Sequence, residues 1–416
     1  MQAGQVLNRL LQKVCSEMHK MRRTALFVNV MAALHGEVLT VTQLGRSIKS
    51  EAKEKHCIKR ADRLLSNRRL QRERVGIYSA LAQQLIGNKQ RPVMIVDWSD
   101  MDECKRHFLL RASVPMEGRS LTLYEGVHTV KSQEKPKVHE DFLKALQKML
   151  PPQCRPIIVT DAGFRTPWFK QVEALGWDWV GRIRNRHEVQ LPGETPWIPC
   201  KSLYDKATAT PKALGRACLT ESNPIGCQLV LYKGKPKGRV ASSARQAGPF
   251  PGPGFHLNRL GQRVRSSHSR KHEKAQREPW LLGTSLPEGF KLAEKAVKLY
   301  ALRMQIEEAF RDLKSTRFGL SLELHLTYQV ERLQILLLIA TLALMVAWLM
   351  GRATEITGQH RQYQANTVRN RVVLSTIFLG LKVIDDPRVN LRLADVIAAI
   401  NSLHGILQRH CYDGSN

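Results

Sequence analysis

The chain has 416 residues and a net charge of +29, from 65 Lys and Arg residues against 36 Asp and Glu residues. Hydrophobic residues make up 43% and charged residues 24% of it, which is typical of folded proteins and excludes a disordered polycation. Because so large a charge repels itself unless a polyanion offsets it, an ordinary metabolic enzyme is disfavoured. Nucleic acid is the favoured partner, ahead of an anionic membrane.

The eight cysteines are scattered along the chain and form no CxxC pair, so the sequence predicts no zinc site. The first residues lack the long apolar run of a signal peptide, and free thiols suit a reducing compartment. We therefore expect a cytoplasmic protein.

Residues 1–90 have the pattern of basic helices, with 17 Lys and Arg residues against six Asp and Glu residues. Residues 39–46 resemble the first helix and turn of a helix-turn-helix unit, with Thr42 as a cap and Gly45 in the turn. Residues 55–65 have the spacing of a second helix. The side chains expected to contact DNA phosphates are Arg46, Lys55, Lys59, Arg60 and Arg63. The alternative is the solvated face of an ordinary helical bundle.

The next part of the chain alternates between apolar runs and amphipathic stretches. Strands are predicted at 93–98, 107–114, 120–130, 156–163 and 177–183, and helices at 139–150 and 168–175. This order of elements predicts an α/β fold with a mixed sheet.

Regular patterns weaken between residues 185 and 278. Short strands are predicted at 190–191, 216–220 and 227–233. The stretch 233–279 is rich in Pro, Gly and Ser and carries 12 Lys and Arg residues against two Glu residues. We interpret it as a flexible basic loop, which either contacts DNA or serves as a solvated linker.

The last part of the chain returns to regular elements. A strand is predicted at 280–285, followed by helices at 290–314 and 324–350 and a helical tail at 353–416. The apolar run 335–350 has 16 residues, fewer than the ~20 that span a bilayer, so it is predicted to be a buried core helix.

Two of the predicted strands end in an aspartate, Asp97 and Asp161. Carboxylates at strand ends often meet at one edge of a sheet, and oxygen ligands suit Mg²⁺. Two such ions about 4 Å apart can activate the attacking oxygen and stabilise the leaving oxygen of a phosphodiester. The alternative is that each Asp only caps a helix or forms a turn.

The predicted helix 290–314 adds a third carboxylate. At 3.6 residues per turn, four side chains fall within an arc of ~60° of one face. These side chains are Tyr300, Arg303, Glu307 and Lys314. Glu308 and Asp312 point away from this face. Glu307 is thus placed to complete a metal site, with Arg303 and Lys314 to bind phosphates; the alternative is an exposed face laced with i,i+4 ion pairs.

The spacing Tyr-x2-Arg-x3-Glu-x6-Lys resembles the signature of the cut-and-paste DDE transposases of bacterial insertion sequences, in the IS-four family. The segments 96–100 and 160–164 resemble that family's first and second Asp motifs, and 364–371 resembles a segment of its tail. The resemblance runs from about residue 10 to about residue 410 and is closest to the group of the Tn-ten element.

The resemblance implies an RNase H-like core with a mostly β insertion, a helical N-terminal DNA-binding domain and a helical C-terminal region. The implied segments are 1–90, 91–184, 185–278, 279–352 and 353–416. It implies Asp97, Asp161 and Glu307 as the ligands of a two-metal Mg²⁺ site, with Mn²⁺ able to substitute. The implied DNA-handling residues are Tyr300, Arg303, Lys314 and, in a base-stacking role, Trp280.

The implied activity is that of an enzyme that binds the inverted-repeat ends of an insertion sequence. It cleaves them by Mg²⁺-dependent hydrolysis through a DNA hairpin and joins the 3′ ends to target DNA. The resemblance further implies a homodimer on paired ends, near the nucleoid of a bacterial cytoplasm, with no membrane partner. The alternatives are an RNase H-like nuclease without strand transfer and a non-catalytic DNA-binding protein.

Overall fold

A computed structural model describes residues 2–102, 104–184, 187–234, 255–257, 263–265, 278–368 and 370–412. The chain divides into two compact units. The first unit comprises Met1–Thr160, Gln171–Asp178 and Leu302–Asn416, and the second comprises Asp161–Lys170 and Trp179–Ala301. The five segments expected from the sequence stay a prediction. Most of the basic stretch 233–279 lies outside the described residues, so its expected role is a prediction as well.

The helices are α1 (Ala3–Val14), α2 (Lys20–Gly36), α3 (Val41–Arg46), α4 (Glu54–Leu65), α5 (Arg68–Ile86), α6 (Pro136–Met149), α7 (Thr166–Ala174), α8 (Leu292–Ala301), α9 (Met304–Lys314), α10 (Val330–Ile356), α11 (Thr376–Val383) and α12 (Leu393–Arg409). The strands are β1 (Val93–Asp100), β2 (His107–Pro115), β3 (Ser120–Thr129), β4 (Ile157–Thr160), β5 (Asp178–Ile183), β6 (Glu188–Gln190), β7 (Ile198–Pro199), β8 (Lys212–Leu219), β9 (Ile225–Tyr232), β10 (Phe255–Leu257), β11 (Arg263–Arg265) and β12 (Trp280–Thr284). Short 3₁₀ turns lie at Cys200–Lys206, Leu322–Leu324 and Gln359–Tyr363.

In the first unit, β1 to β4 form a sheet in the order β3-β2-β1-β4. β1 pairs with β2, and β2 with β3, in antiparallel directions, whereas β4 runs parallel to β1. The long apolar run of β1 is buried because the strand is internal to this sheet. This order and these directions are those of an RNase H-like core, so the predicted fold class is confirmed.

The helix-turn-helix prediction is right in its two helices and wrong in two details. Thr40, rather than Thr42, caps α3, since its hydroxyl accepts a hydrogen bond from the backbone N–H of Gln43 at 3.1 Å. Gly45 lies inside α3 and not in the turn, and a Cβ there would come within 2.4 Å of the Cα of Ile58. The glycine is therefore required because α3 and α4 approach each other closely.

The apolar helix α10 forms the core of the first unit, where it packs against α2, α11, α12 and β3. It is long and apolar enough to cross a membrane, but 94% of its most apolar window is buried inside the protein. This agrees with the predicted buried core helix. Glycines allow α10 and α11 to touch: a Cβ on Gly351 would lie 1.8 Å from the carbonyl oxygen of Thr376, and one on Gly380 the same distance from that of Ala347.

The second unit is built on an antiparallel sheet with the strand order β5-β12-β9-β8-β6-β7. Its apolar centre includes Trp179, whose ring stacks on Phe169 with centroids 4.0 Å apart. The strands β8 and β9 are longer than the sequence patterns indicate, and a separate hairpin joins β10 to β11. The strands β6 to β9 lie within the segment 185–278 that the resemblance implies as a mostly β insertion, whereas β5 and β12 of the same unit lie outside that segment.

Candidate active site

Asp97 lies in β1, in the first unit, and is only 7% exposed. One carboxylate oxygen, Oδ1, accepts a hydrogen bond from the backbone N–H of Trp98 at 2.8 Å. The other, Oδ2, accepts one from the guanidinium of Arg303 at 3.3 Å. A nearly buried carboxylate needs such partners, since burying an unpaired charge is costly.

Glu307 lies in the first turn of α9, and Arg303 joins it to Asp97. The same guanidinium nitrogen of Arg303 lies 2.6 Å from Glu307 Oε1 and 3.3 Å from Asp97 Oδ2. The Glu307 side chain is 46% exposed, whereas that of Arg303 is 13% exposed. One cationic group thus bridges two carboxylates that are far apart in the sequence.

Two polar contacts hold α9 against the β2–β3 turn. The backbone N–H of Met116 donates to Oε1 of Gln305 at 2.7 Å. Arg119 donates to Oδ2 of Asp312 at 2.5 Å. Burial raises the pKa of Asp312 to about 6, against the opposing effect of the Arg119 charge. These contacts fix the position of α9 along the sheet, and with it the position of Glu307.

A buried arginine supports the same region from inside the sheet. Arg111 lies opposite Asp97 in the β1–β2 ladder and is 1% exposed. Its Nε donates to Oε2 of Glu125 at 2.8 Å, and its guanidinium lies 5.1 Å from the centre of the Phe310 ring on α9. The sequence patterns did not indicate Arg111 as a site residue. Its partner Glu125 lies on the neighbouring strand, and no local pattern shows that the two side chains pair.

Lys314, at the end of α9, pairs with the end of β1. Its Nζ lies 2.8 Å from Oδ1 of Asp100. Burial acts to raise the pKa of Asp100, but the hydrogen bond and charge of Lys314, with that of Lys105, outweigh it and hold this pKa below its usual value. Asp100 is a site residue that sequence reasoning did not assign, although it closes the segment 96–100 that resembles the first Asp motif.

The predicted single helix 290–314 is wrong, because α8 ends at Ala301 and α9 begins at Met304. The angular projection from Tyr300 to Lys314 therefore does not apply across the break. Arg303 directly precedes α9 and still pairs with Glu307, four residues further along the chain. An i,i+4 ion pair of this kind was also the alternative interpretation of this helix face. Tyr300 belongs to α8, in the second unit.

In the second unit, Tyr300 packs against Trp280. Tyr300 is 3% exposed, and the two rings meet edge to face with centroids 4.8 Å apart. Trp280 lies at the start of β12, opposite Tyr232 on β9, and is partly exposed. Trp280 is therefore neither a fully buried core residue nor a free surface residue.

Asp161 directly follows β4 and is the first residue of the second unit. In the β1–β4 ladder of the first unit, Thr160 lies opposite Val96. The carboxylate Oδ1 of Asp161 accepts a hydrogen bond from the backbone N–H of Gly163 at 2.8 Å, which is the turn role considered as its alternative. Over the part of the chain that the structure describes, no group of three Asp, Glu, His or Cys side chains is arranged to hold a metal ion. The role of Asp161 in a triad stays a prediction.

The predicted DNA-contacting side chains of the N-terminal helices are solvent-exposed. Those on α4 are Lys55, Lys59, Arg60 and Arg63. Arg46, at the end of α3, is exposed too, but its Nε pairs with Oε1 of Glu54 at 2.8 Å. The basic face of α4 is therefore available to a polyanion, whereas part of the Arg46 charge is already balanced.

Comparison with known proteins identifies the family of this chain. The family model described as a transposase DDE domain matches residues 88–345, which is more than half of the chain. The chain belongs to this transposase family. Its members cleave DNA and transfer strands, so this transposase is an enzyme with an RNase H-like core.

Other comparisons are more distant. A solved cryo-EM structure of a piggyBac transposase synaptic complex with hairpin DNA is similar to this transposase at 12% sequence identity and a TM-score of 0.41. The match covers 97% of this chain and 81% of that one. No curated protein matches the chain at a significant level.

Family members use divalent metal ions, and two carboxylates of the first unit have the donor chemistry that such an ion needs. Asp97 and Glu307 already share a single cationic group, the Arg303 guanidinium. Two carboxylates that share a cation are the hard oxygen donors that Mg²⁺ prefers. These two side chains are therefore suited to hold a divalent cation.

Proposed function

We propose that this transposase is a cut-and-paste enzyme of the IS-four family, in the group of the Tn-ten element. It binds the inverted-repeat ends of an insertion sequence, cleaves both strands through a hairpin and joins the 3′ ends to target DNA. The observation that carries the proposal is the bridge from Asp97 through Arg303 to Glu307, within the residues that match the family. This bridge brings together the first and last carboxylates of the signature.

In the proposed reaction, Asp97, Asp161 and Glu307 hold Mg²⁺, and Mn²⁺ substitutes for it. When bound, the metal supplies activation of the attacking oxygen and stabilisation of the leaving oxygen. Arg303 and Lys314 are paired with carboxylates in the absence of DNA and supply positive charge to the phosphate that reacts. No covalent bond to the protein is needed, because each step is a displacement at phosphorus by water or by a DNA 3′-hydroxyl.

The transposon ends are recognised by the N-terminal helices. The exposed basic side chains of α4 contact the phosphates there, so the affinity falls as salt is added. Two copies of the chain act together on paired ends, in the cytoplasm of a bacterium close to its nucleoid. The family membership and the +29 charge of the chain support binding to DNA. The paired ends, the bacterial host and the location near the nucleoid are proposed from the resemblance of the sequence motifs.

The triad is tested by three substitutions that remove charge and preserve size: Asp97→Asn, Asp161→Asn and Glu307→Gln. We expect each to reduce Mg²⁺-dependent cleavage of the cognate ends to background while end binding in a gel-shift assay is retained, because a neutral amide is a poor ligand for Mg²⁺. Glu308→Gln is the matched control, with the same change one residue along α9. Cleavage that survives in one of the three variants would remove that residue from the triad.

Trp280 is proposed to stack on a base that is flipped out when the hairpin forms. Stacking of a base on an aromatic ring contributes ~1–3 kcal/mol, so we expect Trp280→Ala to slow hairpin formation roughly tenfold relative to first-strand nicking. Trp280→Phe keeps an aromatic face and is expected to form hairpins at a rate close to that of the wild type. Both rates are measured with an end-labelled duplex on a denaturing gel. Equal slowing of nicking and hairpin formation would reduce Trp280 to a packing role.

A further inference from the structure

A groove lies within the second unit. It has a volume of about 740 Å³, and three loop regions form its walls. One wall follows Asp161 and includes Arg165, and another includes Arg184 at the end of β5. The β8–β9 turn, with Thr220, and the side chain of Lys201 complete it. A groove of this volume is large enough for a ligand of several heavy atoms.

The lining of the groove is basic. Arg165, Arg184 and Lys201 line it, and no Asp or Glu is among those of its lining residues that the structure describes. Arg165 and Lys201 are exposed and form no ion pair within the described parts of the chain. Arg184 donates through Nε to Glu278 at 2.5 Å, so its charge is partly balanced. Among the described residues, the groove thus holds two exposed cations and one paired arginine.

Hydrogen bonds between neutral side chains fix the floor of the groove. The hydroxyl of Thr220 lies 2.9 Å from that of Thr166 and 3.3 Å from Nδ1 of His187. Burial, together with the charge of Arg165, lowers the pKa of His187, so this ring is neutral at physiological pH. Thr220 also has a φ of +63°, which a β-branched residue rarely adopts. Such strain is retained where the surrounding contacts over-determine a conformation, so the floor is set before any ligand binds.

We infer that this groove binds the phosphodiester backbone of DNA, with Arg165 and Lys201 as its principal phosphate contacts. Guanidinium and ammonium groups beside hydroxyls are the side chains that bind phosphate oxygens. Because Arg165 and Lys201 are both exposed and come from different loops, the groove suits a chain of several phosphates better than a single small anion. The inference rests on the proposed function and adds to it a second DNA-contacting surface, on the second unit rather than on the N-terminal helices. The DNA is either the transposon end or the target.

The test is a double substitution, Arg165→Gln with Lys201→Gln, compared with a control pair outside the groove. Lys206→Gln with Lys212→Gln removes the same charge from exposed positions of the same unit. The affinity of each protein for the cognate end duplex, and of each end-bound complex for an unrelated target duplex, is measured by fluorescence anisotropy over a series of salt concentrations. We expect the groove variant to bind roughly tenfold more weakly than the control. Each phosphate contact contributes close to one to the slope of log affinity against log salt concentration, so the magnitude of this slope should fall by about two.

The two duplexes distinguish the sources of DNA. A loss confined to the end duplex assigns the groove to the transposon end, and a loss confined to the target duplex assigns it to the target. If the groove variant equals the control on both duplexes, in affinity and in slope, the inference is overturned while the proposed function stands. If the unsubstituted protein neither binds nor cleaves cognate ends in Mg²⁺, both fail together. Matching circular dichroism and melting curves show that the compared proteins are folded.

Discussion

Trp98, the neighbour of Asp97, is held in place by two histidines. Its indole N–H donates to Nε2 of His139 at 3.2 Å, and its ring meets that of His128 edge to face at 5.3 Å. Burial, with the nearby His128, lowers the pKa of His139 to about 4. Nε2 accepts this hydrogen bond only while the His139 ring is neutral. The end of β1 that carries Asp97 therefore depends on an uncharged histidine.

We predict that acid weakens the fold through His139. The unfolded chain binds a proton at His139 near pH 6.5, whereas the folded chain does so only near pH 4. The contribution of neutral His139 to the free energy of unfolding is therefore complete above pH 6.5. It is lost as the pH falls towards 4, and the loss amounts to at most about 3 kcal/mol. His139→Gln keeps an acceptor that does not titrate in this range, and its free energy of unfolding, measured in denaturant, should vary less between these pH values. Identical pH dependence in the variant and the wild type would show that His139 is not responsible.

At the scale of single residues, local patterns predicted positions but not partners. The apolar β-branched run before Asp97 is a local signal for a buried strand, and the spacing of Arg303 from Glu307 is a local signal for an i,i+4 pair. The contact between Arg303 and Asp97 joins residues 206 positions apart, and no spacing rule reaches that far. The pairing of Asp312 with Arg119 was missed for the same reason.

At the scale of elements, the break between α8 and α9 is the main departure from the sequence prediction. No Pro or Gly lies at this break. The two residues there, Leu302 and Arg303, are both good helix formers. The backbone tightens there, because the N–H of Gln305 bonds to the carbonyl of Leu302 and the N–H of Ile306 to that of Arg303. The Arg303 and Gln305 side chains are held by β1 and the β2–β3 turn, so tertiary contacts override the local preference.

The crossing of α10 and α11 permits a matched test of packing. We predict that Gly380→Ala lowers the free energy of unfolding by about 2 kcal/mol or more, because the added Cβ would lie 1.8 Å from the Ala347 carbonyl oxygen and the helices must separate. Gly405→Ala, in α12, meets no atom within 4 Å and should instead stabilise the protein by up to about 1 kcal/mol. Denaturant unfolding measures both. A neutral Gly380→Ala would contradict the close approach of the two helices.

At the scale of the whole molecule, the N-terminal helices and the catalytic sheet share one unit and one polar cluster. Glu125, on β3, accepts hydrogen bonds from Tyr78 of α5 at 2.6 Å and from Thr341 of α10 at 2.8 Å. Arg74 of α5 donates to its backbone carbonyl at 2.9 Å. Residues 1–90 therefore pack against the catalytic sheet within one compact unit, and their assignment as the DNA-binding segment stays a prediction.

The most direct test of the account is strand transfer by the purified protein. Precleaved transposon ends with free 3′-hydroxyls are incubated with a target plasmid and Mg²⁺, and joined products are detected on an agarose gel. We predict joined products with the wild-type protein and none with Asp97→Asn, although both proteins bind the ends. Cleavage of intact ends by the wild-type protein without any joining to the plasmid would contradict it and indicate an RNase H-like nuclease.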